Sequence, residues 1–422
     1  MSTLFRRKEF AVAVVSFATF VDTVVYSIII PTIPFILDDL GADRSLVGVL
    51  LGIYGLGVIV GSVLFGYLSL TSSRSSRKKQ MIFALLLLVA ATVLFSVGNS
   101  VALLGFARFL QGVAVNGTWV LGLALIADLY REHQNQAGKA MSIVMAGYST
   151  GQLVGPPIGG VLYSYSHYAP FIFCAAVVLV DLFGRLMVVE PESIAQPEVA
   201  VESGPKNETQ ETGDAENKDA IVVEVEGIKK PSGIRQLLTI KPMWIILFLN
   251  TIISISQYGI EPTLPLKLNE EYGWDSSHIG LMYIALIIPL IIGGLLGGAS
   301  ADKYGIRTTL ALGFGTSSIA FYILAIPGPH HVAWTAFTLV LLGLSIGYAT
   351  VLTIGISSYV PPEYVTIAYS LMTIVFAIGL LVGPIAGAFI YQAIGWTWHV
   401  LIFAIAMTLA TPFVFMLPPV QK

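Results

Sequence analysis

Twelve apolar stretches, separated by short polar breaks, decide what this chain can become. They fall at about 10 to 34, 45 to 68, 80 to 98, 101 to 128, 138 to 163 and 169 to 189, then at 242 to 265, 277 to 300, 308 to 327, 332 to 358, 365 to 391 and 396 to 417. Each approaches or exceeds the roughly 20 residues that a helix needs to cross a hydrocarbon core of about 30 Å. A chain of 422 residues that is 55% hydrophobic and 11% charged, with mean hydropathy +0.81, has too little polar surface for a water-soluble globule. An all-α integral membrane protein with twelve transmembrane helices is expected. The basic flank Arg6-Arg7-Lys8 is like that of a signal peptide, but the apolar run behind it is longer and has no small-residue cleavage site, so it reads as a retained first span. The single cysteine, Cys174, allows no internal disulfide.

One stretch breaks the composition of an ordinary helix. Residues 147 to 163, GYSTGQLVGPPIGGVLY, hold five glycines and two prolines inside an apolar span. Such a helix survives in a membrane when neighbours stabilise it and small residues let backbones approach. At an offset of 228, Gly151, Leu153, Val154, Gly155, Pro156, Gly159 and Tyr163 recur as Gly379, Leu381, Val382, Gly383, Pro384, Gly387 and Tyr391. A second repeat, at an offset of 232, relates Gly48, Gly61 and Gly66 to Gly280, Gly293 and Gly298. The twelve helices are therefore expected as two pseudo-symmetric six-helix bundles, residues 1–189 and 241–422. Internal repeats with one Gly/Pro-broken helix in each half are the pattern of secondary transporters.

Between the halves, residues 190–240 change character. Eleven acids from Glu190 to Glu226, with few aromatics, cannot build a core, so an acidic, disordered cytoplasmic linker is expected. Its Asn207-Glu208-Thr209 sequon is then empty. Orientation follows from the loop cations: Arg6, Arg7, Lys8, Arg74, Arg77, Lys78, Lys79, Arg131, Lys139, Lys303 and Arg307 fall on one side, against Arg44 and Lys267 on the other. Both termini are expected in the cytoplasm.

Ionisable groups inside the bilayer cost at least about 2.5 to 3.5 kcal/mol each at a helix centre, so each needs a reason. Asp22 lies roughly 18 Å into the first span, and Arg108 reaches a similar depth in the fourth. The two are candidates for a pair, either a structural lock between helices or a protonatable acid beside a movable cation. Glu261 sits in Gly259-Ile-Glu-Pro-Thr-Leu-Pro265, where two prolines break the seventh span; it is a functional acid or an interfacial one. Asp181 and Arg185, four residues apart, read as a structural pair with Arg185 snorkelling to the interface. Asp128 falls at the inner end of the fourth span and Asp302 in a cytoplasmic loop. His330 and His331 are a weak metal signal in an outer turn, and no metal site is expected. No nucleophile with a base, phosphate-cradling loop or Cys/His ligand spacing supports an enzyme.

Taken together, these residues resemble the major facilitator superfamily over the whole chain. Gly298-Ala-Ser-Ala-Asp302-Lys303-Tyr-Gly305-Ile-Arg307 is similar to its cytoplasmic gating motif; the first-half counterpart keeps Gly66 and a basic cluster but has Leu70 in place of the acid. Arg108-Phe-Leu-Gln111-Gly112 resembles the fourth-span motif, which implies a part for Arg108 in proton coupling. Gly151, Gly155, Pro156, Pro157, Gly159 and Gly160 resemble the fifth-span signature of proton-driven exporters, a flexible and tightly packed gate, echoed by Gly379, Gly383 and Pro384. Within the exporters the likeness is to the vesicular amine transporter branch of the twelve-span drug:proton antiporters, through Asp22 with Pro31-Thr-Ile-Pro34, the Glu261 run, and Leu153-Val-Gly-Pro-Pro157. By that resemblance Asp22 contacts a cationic amine and Glu261 carries a proton. Departures are Tyr54 where the branch has a second-span lysine, Thr350 and Thr373 in place of acids, and a first outer loop reduced to residues 35 to 44.

The expected activity is proton-coupled antiport, by alternating access, of small organic, cationic or drug- or metabolite-like molecules. The alternatives are a proton-independent facilitator or symporter and a transporter-like receptor or scaffold. Tyr26, Tyr54, Trp119, Tyr148, Tyr258 and Tyr283 are candidates to line the cavity, or else interfacial anchors. The proton is the coupling ion and no cofactor is expected. The partners are the lipid bilayer and a small organic substrate, with no nucleic acid, and the functional unit is a monomer in the plasma membrane or a vacuolar or vesicular one.

Overall fold

The computed structural model describes residues 8–71, 74–130, 134–187, 240–326, 331–360 and 365–418. The acidic linker with its sequon, Arg6, Arg7, Arg131 and His330 lie outside the described residues, and so do the side chains of Leu70 and Asp128. The first half holds α1 (Lys8–Ser27), α2 (Ile33–Asp39), α3 (Leu46–Thr71), α4 (Arg74–Ser96), α5 (Val101–Leu129), α6 (Gln134–Tyr165) and α7 (Ala169–Met187). The second holds α8 (Lys241–Ile260), α9 (Thr263–Tyr272), α10 (Ser276–Tyr304), α11 (Ile306–Ala325), α12 (Val332–Ala349), α13 (Val351–Gly355) and α14 (Val365–Val414).

Helix is the secondary structure that lets each segment satisfy its own backbone in lipid. Among the described residues, ten helical stretches are long and apolar enough to cross a membrane. One of these, Ala368–Val414, is two crossings, because Gly395 interrupts α14 with φ 78° and ψ 176°, a conformation that favours glycine. α6 is not among the ten, since its polar start and its glycines dilute its hydropathy, but its 32 residues reach from one face to the other. The described residues thus make twelve crossings, six in each half.

The halves repeat each other in their contacts. α1 packs on α6 as α8 packs on α14, and α3 packs on α5 as α10 packs on α12. Between the halves α3 meets α14 and α6 meets α10, which are equivalent crossings under the same pseudo-symmetry. The glycine repeats explain why these helices come so close. A Cβ at Gly155 would collide with the Ser27 hydroxyl, one at Gly159 with the Ile28 carbonyl, and one at the equivalent Gly387 with the Gly259 carbonyl. Backbones in contact trade side-chain volume for dispersion, the main attraction left between helices that already sit in lipid.

A third repeat accompanies these two. Pro31-Thr32-Ile33-Pro34 and Pro262-Thr263-Leu264-Pro265 share an offset of 231 and mark the breaks α1/α2 and α8/α9. The hydroxyl of Thr32 donates to the Ile29 carbonyl at 2.9 Å, and that of Thr263 to the Ile260 carbonyl at 3.0 Å. At the end opposite the termini the halves are tied by polar contacts. Gln392 donates to both oxygens of Asp43 at 2.9 and 3.0 Å, and Arg44, paired with Asp38 at 2.6 Å, stands 3.8 Å from Glu270.

Candidate functional site

Glu261 occupies the turn between α8 and α9, 20 residues into a continuous apolar path that runs from Lys241 to Tyr272. Pro265 has no N–H for the Glu261 carbonyl, and the hydroxyl of Tyr283 on α10 donates to that carbonyl instead, at 2.9 Å. The carboxylate points toward the other half, where the hydroxyl of Tyr26 on α1 donates to Oε2 at 2.5 Å. A proline-rich break thus holds an acid where the two bundles meet.

Behind Tyr26 lies a buried cation. The Arg108 guanidinium sits 5.4 Å from the centre of the Tyr26 ring and 4.8 Å from that of Tyr54, and the two rings are 4.7 Å apart. Arg108 also donates to Gln111 at 3.1 Å, and Gln111 to Thr92 at 3.3 Å, which fixes its orientation within the first half. Its Nη2 has no hydrogen-bond partner among the described residues. Glu261, Tyr26, Tyr54 and Arg108 form one electrostatic group that spans the halves.

Asp22 acts on Tyr54 as Arg108 does, but its own strongest partners are elsewhere. The charges that act on it are Arg185 and Asp181 of α7, with the Thr118 hydroxyl of α5 facing it; Arg108, its expected partner from matched depth, is not among them. Arg185 does not snorkel to the interface as expected. It is 3% exposed and turns inward, donating to Asp181 at 3.0 Å through Nε and to Thr118 at 2.6 Å through Nη2. Both oxygens of Asp22, Oδ1 of Asp181 and Nη1 of Arg185 remain without hydrogen bonds among the described residues. A buried carboxylate in that condition is costly, and sites that tolerate it are where proton binding or a ligand relieves the cost.

A narrow cleft lies between α1, α6, α8, α10 and α12. Glu261 is the carboxylate on its wall, which Tyr258, Tyr283, Leu290 and Ile346 also line. Of the other candidate aromatics, Tyr26 and Tyr54 stand behind Glu261, while Trp119 and Tyr148 pack edge to face at 5.5 Å, with Tyr148 facing Tyr258 across the halves. Pro156 lines the same cleft, so the Gly/Pro helix forms part of its wall. Gly151 and Gly155 press on α1 at Phe20 and Ser27, Gly160 on Ser276 of α10, and Gly379 and Gly383 on Ser254 and Ile255 of α8.

The Asp302–Arg307 loop, between α10 and α11, does not line this cleft. Asp302 and Lys303 are exposed at the end of α10, Gly305 takes φ 85° to start α11, and Arg307 rests over the Phe415 ring at 5.6 Å. His331 is exposed at the start of α12. Sequence reasoning passed over Thr118, Gln152, Gln257 and His399, whose Nε2 lies 3.3 Å from the Gly259 carbonyl next to the break. The offset of 231 was the available signal, since it makes Gln257 the counterpart of Tyr26.

Comparisons with known proteins agree with this fold. The family model of the Major Facilitator Superfamily matches residues 15–257 and 246–422. An uncharacterized MFS-type transporter of Schizosaccharomyces pombe is 28% identical over 410 residues, 91% of this chain and 90% of that protein. The synaptic vesicular amine transporter of Mus musculus is 28% identical over 366 residues, 84% of this chain but 64% of that longer protein. Among solved structures, a bacterial homologue of the human lysosomal transporter Spinster, inward-facing and unoccupied, superposes with TM-score 0.78 at 14% identity, covering 99% of this chain and 97% of that one. The nucleoside transporter NupG superposes with TM-score 0.71 at 13% identity over 97% of this chain and all of its own. With two matched bundles, interlocked glycine repeats and an acid at their junction, the chain belongs to the major facilitator superfamily, a multi-pass membrane transporter family.

Proposed function

We propose that the protein is a proton-coupled antiporter that exports small organic cations, including drug- or metabolite-like amines, by alternating access. The observation that carries this reading is the Glu261 carboxylate on the wall of the cleft, hydrogen-bonded by Tyr26 from the opposite half. An ionised Glu261 attracts a cation; protonated, it loses that attraction, so proton and substrate compete for one group. Because Tyr26 and Glu261 belong to different halves, whatever occupies the carboxylate also alters the contact between them. Asp22, Asp181, Arg185 and Thr118 make a second acid centre inside the first half, and Arg108 supplies the positive potential beside Tyr26. The similarity to vesicular amine transporters is in keeping with a cationic substrate.

In this reading the termini, the linker and the Asp302–Arg307 loop face the cytoplasm, and protons arrive from the side closed by Asp43 and Gln392. The membrane is the plasma membrane or that of an acidic vacuole or vesicle, and the working unit is a monomer. Transport in reconstituted liposomes with an imposed pH gradient tests it, using a panel of organic cations and neutral analogues. Accumulation of a cation on the acidic side, lost in Glu261→Gln while exchange without a gradient survives, is the expected result. Flux that ignores the gradient in parent and variant alike overturns the antiport mechanism.

A further inference from the structure

We propose that Gln152 and Gln257 are specificity-determining residues of the cleft, reading a carboxamide-like or lactam-like hydrogen-bonding edge on an organic cation whose charge is held by Glu261. This deepens the reading of Glu261 as a cation-binding acid and rests on it. Both glutamines line the cleft, one from each half, and both are only half-buried. Neither side chain makes a hydrogen bond to the described residues, although each carboxamide carries two N–H donors and an acceptor oxygen. Polar groups turned unpaired toward a cleft in the membrane leave a demand that a ligand or water must meet.

The fold does not ask for glutamine at either place. At the equivalent positions of the other half stand Leu380, offset by 228 from Gln152, and Tyr26, offset by 231 from Gln257, in helices that pack in the same way. Gln257 precedes Glu261, the C-cap of α8 that still holds helical dihedrals, by four residues, so the two side chains leave the same face about 5 to 6 Å apart at Cβ. A ligand that engages both therefore has a positive charge and a polar edge separated by about the width of one aromatic ring. Ile287, Leu290 and Ile346 offer the apolar wall for that ring. A carboxamide or lactam edge presents one donor beside one acceptor, which a glutamine side chain meets at two points; a plain amine leaves both glutamines unpaired.

Four compounds separate the two recognition elements: benzyl alcohol, benzylamine, 3-(hydroxymethyl)benzamide and 3-(aminomethyl)benzamide. Binding is measured calorimetrically at pH 7 to the full chain in detergent, for the parent, Gln152→Leu, Gln257→Leu and Glu261→Gln, with thermal unfolding as the check that each variant is folded. The aminomethylbenzamide is expected to bind the parent about tenfold more tightly than benzylamine, and each Gln→Leu change to remove most of that advantage. Glu261→Gln is expected to remove the preference for amine over alcohol and to leave the preference for the carboxamide. Equal binding with and without the carboxamide in the parent, including no binding of any of the four, overturns the inference whatever the variants do. So does a carboxamide advantage that survives both Gln→Leu changes in folded protein. No preference for amine over alcohol in the parent instead overturns the cation reading of Glu261.

Discussion

The carbonyl of Pro156 fills the space that a side chain at Gly280 would need. Pro384 does the same to Gly48 at the pseudo-symmetric crossing of the halves. The prolines of one repeat thus seat against the glycines of the other, and the seam at the end opposite the termini closes only because those glycines have no Cβ.

Gly280→Leu and Gly48→Leu are therefore expected to hold that seam apart while leaving each bundle folded. Overpacking of this kind typically costs about 1 to 3 kcal/mol, and more where backbone must move. Cys174 is the one cysteine of the chain and is buried, so a cysteine pair at Asp43 and Gln392 reports the seam without interference. Oxidative cross-linking of that pair should be efficient in the parent background and fall at least several-fold with either leucine.

Tyr26→Phe keeps the ring beside Arg108 and deletes only the hydroxyl that reaches Glu261. A hydrogen bond to a charged group contributes about 1.5 to 3 kcal/mol, or roughly 10- to 150-fold in an equilibrium. Gradient-driven uptake of a transported cation should drop by about that order while the thermal unfolding midpoint stays near that of the parent. Unchanged uptake would detach Tyr26 from the coupling.

Arg185→Met should be far more damaging to stability than to binding in the cleft, because it strands Asp181 without its cation next to Asp22. Removing one member of a buried pair costs about 3 to 5 kcal/mol, whereas replacing both is much milder. The expected order of unfolding temperature in detergent is parent, then Asp181→Leu with Arg185→Met, then Arg185→Met alone.

Asp43 offers a pH control outside the membrane. The Ser45 backbone N–H and the Gln392 amide hold its carboxyl below the ordinary carboxylate range. For a group depressed on folding, the stabilisation is present above the unfolded pKa of about 3.9 and fades as pH falls through the lower folded value. Between pH 5 and 7 Asp43 stays ionised, so Asp43→Asn should change the amount of transport without moving the midpoint of its pH profile. A shifted midpoint would place Asp43 on the proton path.

Much of this was readable in the sequence. The apolar windows located the crossings, and the constant offsets of the glycines announced both the halves and the helices that touch. Rotation about a helix axis was not readable. Depth along the membrane normal says nothing about which way a side chain faces: Asp22 and Arg108 both act on Tyr54, yet Asp22 takes Arg185 and Asp181 as its charged neighbours. The spacing of Asp181 and Arg185 showed that they share a face but could not say whether that face meets lipid or Thr118, which is 67 residues distant in the chain. Contacts such as Tyr26 with Glu261 link positions 235 apart and depend on how two bundles dock. The Pro-Thr-x-Pro repeat is legible in the sequence too, but it marks helix breaks, where the glycine stripes of the helix interiors give no signal.

That repeat aligns Glu261 with Ile30, and both residues line the cleft. A balance with identical arms has no reason to settle one way rather than the other. Here a single ionisable group weighs on one arm, and its mate on the other is hydrocarbon. Direction in such a device need not be built into the scaffold at all: it can reside in one residue out of register with its twin, which makes exchanging the pair, Ile30→Glu with Glu261→Ile, a question about handedness rather than about strength.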